Sequence, residues 1–253
     1  MAAMKVKAPL RLSAEAIRER EGQFPMFLLA ALLPILVFPF AHLDGNALER
    51  ALLPLSVSWL VVQSLRAMPP WVARIGTVRI NQWYRVFGVI AALSVWWPLL
   101  AQDRPPLALH VLFLSIRAIF YLLTAIRIVQ VLANSVRVSV QTLCLAAAGY
   151  VHLGLTAGLL ATVLQLVDPD SFNLGSIAMH EELMARLSYF AFVTLGSLGY
   201  GDVVPASPIG ESFAVLLSLS STLYLSLLIG LLLSRFITSQ DRDLVQTLED
   251  ERR

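Results

Sequence analysis

The stretch MHEELMARLSYFAFVTLGSLGYGDVVP, residues 179–205, changes character halfway along. Residues 179–195 are helix-compatible and increasingly apolar, with Glu181 and Glu182 near the beginning, where acids suit the positive end of a helix. The pattern then stops at three closely spaced glycines, Gly196, Gly199 and Gly201, followed by Asp202. Crossing a hydrocarbon core of about 30 Å takes roughly 20 apolar residues. The segment is too short and too polar at one end to be an independent span, so it reads as a helix that dips into a membrane and ends at the glycines. Irregular backbone at that depth is tolerated only where it is buried in protein or lines a wet cavity.

The whole chain supports a membrane setting. Its 253 residues are 57% hydrophobic and 14% charged, with a mean hydropathy of +0.72; soluble domains are about 45–50% apolar and about 25% charged. A net charge of +2 gives no reason to expect nucleic acid as a partner. Cys144 is the lone cysteine, which excludes an intrachain disulfide framework and a cysteine-cluster metal site. The first apolar run is followed by His42 and Leu43 rather than a small-residue cleavage site, and reads as an anchor.

Six stretches are candidates for spans: residues 24–41, 49–67, 83–101, 107–125, 141–167 and 209–236. Pro34, Pro39 and Pro54 interrupt the first two, which membrane helices tolerate when neighbours re-satisfy the freed carbonyls. Basic residues alternate between connections. Lys5, Lys7, Arg11, Arg18 and Arg20 precede the first span; Arg66, Arg74 and Arg79 follow the second; Arg127 and Arg137 follow the fourth; Arg242, Arg252 and Arg253 follow the sixth. The other connections hold Arg50, Arg104 and Arg186. That bias predicts cytoplasmic termini and an even span number, with the glycine stretch toward the outside.

The expected division is a cytoplasmic segment 1–23, a four-helix transmembrane domain 24–126, a linker helix 127–140, a pore domain 141–236 and a cytoplasmic tail 237–253. In the linker, Arg127, Gln130, Asn134, Arg137 and Gln141 recur at helical spacing, which suits a helix on the cytoplasmic membrane surface. The other reading is that the fourth and fifth spans are long helices that protrude.

SLGYGD, residues 197–202, preceded by Thr194 and by the aromatic pair Tyr189 and Phe190, resembles the selectivity filter and pore helix of tetrameric potassium channels, with their TxGYG core. The likeness covers residues 141–236 and is nearest to prokaryotic pore domains of the FVTLTTLGYGD kind. It implies an all-α membrane protein of six transmembrane helices, with a re-entrant pore helix and filter between the fifth and sixth, assembled as a homotetramer. It further implies potassium-binding carbonyls at Ser197, Leu198, Gly199 and Tyr200, with the Ser197 hydroxyl adding an inner ring. Thr194, Gly196, Gly201 and Asp202 support the filter or stand at its mouth. The Tyr200 ring is expected to pack on the pore helix, and Asp202, Asp168, Asp170, Glu181 and Glu182 to concentrate cations outside. Gly196 and Ser197 depart from the two threonines common in such filters, so a weakly selective monovalent cation channel remains an alternative, as does a membrane-embedded non-channel protein.

Chemistry agrees with the likeness. A dehydrated cation needs oxygens to replace its water, and a ring of backbone carbonyls supplies them without fixed charge. Aiming successive carbonyls one way requires backbone angles that Gly199 and Gly201 adopt freely. Alone, GYGD also suits an external turn; its flanking spans and half-length helix favour the filter.

Gly230 in the last span admits two readings, a bending point for opening or a site of close packing. Ser218, Ser220, Ser221 and Ser226 either line a wet cavity or bond their own helix. Arg117, Arg127 and Arg137 stand ten residues apart and form no single stripe, so strong voltage sensing is not expected. Arg117, near mid-span, either snorkels, faces a wet crevice or confers weak voltage dependence. No resident cofactor and no enzymatic activity are expected, the permeant ligand being potassium and the setting a bacterial inner membrane with lipids as neighbours.

Overall fold

The computed structural model describes residues 14–38, 47–70, 77–97, 106–135, 139–175 and 180–251. In chain order they form α1 (Ala14–Arg18), a 3-10 turn (Glu21–Gln23), α2 (Phe24–Val37), α3 (Ala47–Ala67), α4 (Thr77–Ser94), α5 (Leu107–Asn134), α6 (Val140–Val167), β1 (Phe172–Asn173), α7 (His180–Leu195), β2 (Val204–Pro205) and α8 (Pro208–Glu251). The N-terminal residues 1–13, the ends of the first and third expected spans, Arg137, and the side chains of Glu181 and Glu182 lie outside the description.

Among the described residues, four segments are long and apolar enough to cross a membrane: Glu15–Val37, Leu107–Asn134, Val140–Val167 and Pro208–Gly230. The expected count of six is therefore met on length and composition by four. The second and third expected spans are helices, α3 and α4, the first of them apolar over Ala51–Ala67. Pro34 and Pro54 sit inside α2 and α3 without ending them. Pro25 in the first turn of α2 removes an N–H that had no helical partner to lose.

The core lies where α2, α5 and α6 meet, with Phe24, Phe27, Leu114, Phe120, Ile128 and Leu145 buried together. His152 of α6 is fully buried there; its Nε2 stands 3.1 Å from the Tyr121 carbonyl and its ring between those of Phe27 and Tyr121. Arg117 is also turned into the bundle, 9% exposed.

Residues 127–134 are the last turns of α5 and not the start of a separate linker helix. The reason is the burial of Arg127. Its guanidinium donates to the Asn81 Oδ1 at 2.9 Å and lies 3.7 Å over the Tyr84 ring, so this first residue of the polar stripe meets α4, whereas Asn134 is exposed. The helix closes at Ser135, whose N–H and hydroxyl both donate to the Val131 carbonyl. Ser139 then caps α6 by accepting from the Thr142 N–H.

Beyond α6, β1 pairs antiparallel with β2, Phe172 opposite Pro205 and Asn173 opposite Val204. The Ala206 N–H adds a bond to the Ser171 carbonyl at 2.9 Å. A β-carbon on Gly210 would strike that same carbonyl, so only glycine lets α8 begin here. Phe172 joins Phe190 of α7 and Phe213 of α8 in a second cluster, with ring centroids 5.2 and 6.1 Å away.

Candidate functional site: a capped half-helix and an open ribbon

α7 lies against α6 through a small-residue seam. The β-carbon of any other residue at Gly158 would stand 2.7 Å from the Ser188 Cα, and one at Gly154 would enter the Phe192 ring. Glycines four apart on one helix thus receive Ser188 and Phe192, four apart on the other, allowing the backbones to approach closely. That seam fixes where α7 ends.

Its end is closed carbonyl by carbonyl. The last four carbonyls of a helix lack helical partners unless something donates to them. Here Phe192 O accepts from Gly196 N at 2.9 Å, Val193 O from Leu198 N at 2.9 Å and Thr194 O from Ser197 N at 3.1 Å. The last two bonds make a Schellman closure, whose left-handed residue is usually glycine. That residue is Ser197, with φ +56°. The remaining carbonyl, Leu195, accepts from Tyr150 Oη of α6 at 2.9 Å and from Ser221 Oγ of α8 at 2.7 Å.

From this cap the chain runs out as a ribbon. Ser197, Gly199 and Gly201 have φ of +56°, +56° and +77°, whereas Leu198 and Tyr200 between them do not enter the left-handed region. Positive φ therefore recurs at every second residue from Ser197 to Gly201, backbone that glycine adopts without the cost a β-carbon adds. Among the described residues the carbonyls of 197–201 accept no hydrogen bond. The predicted ligand residues Ser197, Leu198, Gly199 and Tyr200 therefore stand consecutively on one exposed strip with free acceptor oxygens.

The expected supporting residues are distributed around that strip. Thr194 is half-buried in the last turn of α7. A β-carbon at Gly196 would lie 3.2 Å from the Phe192 carbonyl, so that position is tight rather than empty. Tyr200 is 66% exposed on the single chain. Asp202 is held at the far end: its Oδ2 is 3.1 Å from Arg186 Nη2 and its Oδ1 accepts from the Val203 N–H. The Arg186 guanidinium also lies 5.3 Å from the centroid of the Tyr189 ring. Asp168 is engaged in its own turn, accepting from the Asp170 N–H and the Ser171 hydroxyl.

α8 presents two sides. Leu217, Ser221, Tyr224 and Leu228 turn toward the rest of the chain, while Leu216, Leu219, Leu223 and Leu227 are 54–64% exposed. Both rows follow helical spacing. Ser221 is buried and bonded to Leu195, so it leaves the row of serines expected to line a cavity; Ser218, Ser220 and Ser226 are exposed. Among the described residues nothing lies within 4 Å of where a β-carbon on Gly230 would stand.

Sequence reading missed Tyr150, the buried role of Ser221, and the Gly154–Gly158 seam. The seam had a signal, GLTAG within an apolar run, whose spacing matches a small-xxx-small contact. Tyr150 had none, because its partner is a main-chain carbonyl 45 residues away.

Residues 176–238 match a family model described as an ion channel, which takes in α7, the ribbon and the membrane-length part of α8. No curated protein and no solved structure matches the chain.

Proposed function

We propose that this chain is one quarter of a potassium-selective channel, in which four copies surround an axis and the carbonyls of Ser197, Leu198, Gly199 and Tyr200 replace the water of a dehydrated ion. The observation that carries it is the alternation of left-handed backbone at Ser197, Gly199 and Gly201, directly after a capped half-helix and between two membrane-length helices. The match to an ion channel family over residues 176–238 supports ion transport through a membrane by passive conduction rather than an enzymatic reaction.

A single ribbon surrounds nothing, so the ring requires closed rotational symmetry. The exposed leucine row of α8 supports the same reading, since a row of that length needs lipid or a second copy of the helix to cover it. In this assembly α3 and α4 complete six crossings, the termini are cytoplasmic, and Asp202 stands at the outer mouth. Gly230, unconstrained by neighbours, is the proposed bending point.

A weakly selective cation channel is the second reading, favoured by serine at the innermost ligand position, where its left-handed backbone is held by one helix cap. Purified protein in lipid bilayers separates the two. Under potassium on one side and sodium on the other, a reversal potential far from zero supports potassium selectivity, one near zero supports the second reading, and no conductance from an intact tetramer refutes both.

A further inference from the structure

We infer that Tyr150 and Ser221 are positioning residues for selectivity: their two hydroxyls, from opposite helices, meet on the Leu195 carbonyl and fix the seat of the filter. The inference rests on the filter reading proposed above. Tyr150 Oη and Ser221 Oγ lie 2.9 and 2.7 Å from that oxygen and 3.5 Å from each other. A carbonyl has two lone pairs, so both are used. Leu195 is the last helical residue of α7, two residues before Ser197.

The placement is what matters. The three preceding carbonyls are closed by backbone within α7 and its cap, and so travel with it. Among the described residues Leu195 alone connects that end to other elements through hydrogen bonds, and it does so on both sides at once. Ser221 is 3% exposed, so no water replaces its bond. Any tilt of α8 at Ser221 must therefore carry the base of the ribbon with it or leave a buried acceptor empty.

A neighbouring contact provides the comparison. Tyr224 Oη donates to the Ala146 carbonyl at 2.7 Å, joining α8 to α6 one turn away without touching α7. Its ring lies 6.1 Å from that of Tyr150. If such bonds merely held helices together, losing either would have the same effect.

The test uses the full-length tetramer in bilayers, with Tyr150→Phe/Ser221→Ala, Ser221→Thr and Tyr224→Phe. The double variant is expected to lower the potassium-to-sodium permeability ratio about tenfold, near 59 mV in reversal potential for a monovalent ion. Ser221→Thr, which restores a hydroxyl, and Tyr224→Phe keep the parental ratio. Hydrogen exchange gives a readout independent of conduction: the Ser197 and Leu198 amides exchange faster in the double variant and not in Tyr224→Phe. If the double variant fails to assemble, Tyr150→Phe alone carries the test, with a shift of the same sign. An unchanged ratio and unchanged exchange overturn the inference, as does an equal shift in Tyr224→Phe. A parental channel without selectivity overturns the filter reading itself.

Discussion

Replacing Gly199 by alanine tests the ribbon through its backbone alone. The φ of Gly199 is +56°, and nothing lies within 4 Å of the place where a β-carbon would stand in the single chain. Any effect arising within a chain therefore comes from forcing an L-residue into left-handed geometry, which costs about 1–2 kcal/mol per residue. In the proposed ring four copies bear it together, about 4–8 kcal/mol if the ring is formed or lost as a unit, which shifts that equilibrium by roughly three to six orders of magnitude. Gly175 supplies the control, with φ +69° and an equally open surrounding, but outside the ribbon. Reversal potentials and potassium efflux from liposomes are expected to collapse for Gly199→Ala and to hold for Gly175→Ala. Undiminished selectivity in Gly199→Ala, with the tetramer intact, refutes the assignment of these carbonyls as ion ligands.

Other perturbations probe the surroundings. Gly158→Val places atoms against the Ser188 backbone and is expected to destabilise the α6–α7 contact by at least about 1–3 kcal/mol, seen as a lower melting temperature in detergent; an unchanged melting point sinks the seam. The Arg186–Asp202 pair is more than a third exposed, so its contribution to stability is small, about 0–1 kcal/mol. Arg186→Gln therefore acts on conduction: removing a positive charge at the mouth raises cation conductance at low salt, an effect that fades near 1 M as screening shortens to about 3 Å. Equal conductance changes at both salts would argue for a structural effect instead. Arg117→Gln, buried far along the chain from the ribbon, is expected to leave the reversal potential unchanged, and a large shift would assign that side chain to the permeation path.

Much of the ribbon's backbone was legible in residue order because it is a local feature. A run of main-chain carbonyls is contributed by consecutive residues, and the angles that align them leave glycines where side chains are costly, at Gly199 and Gly201. Membrane character and the half-length helix followed from apolar run lengths in the same way. That residues 127–134 continue α5 was one of two readings the order left open, because a polar stripe looks alike whether it meets headgroups or another helix; Asn81 and Tyr84, more than 40 residues earlier, hold Arg127 inward.

Residue order by itself determined the apolar character of the chain, the break at Gly196 and the order of potential ligands, all properties of neighbours along the chain. Only the tertiary structure decided that Ser197 takes a left-handed angle, that Ser221 faces away from the exposed side of α8, and that Leu195 is held from two helices. The Ser197 angle belongs to the backbone cap of α7, whereas the other two depend on which distant donor reaches a particular main-chain oxygen, and a carbonyl carries no side-chain signature of the partner that will find it.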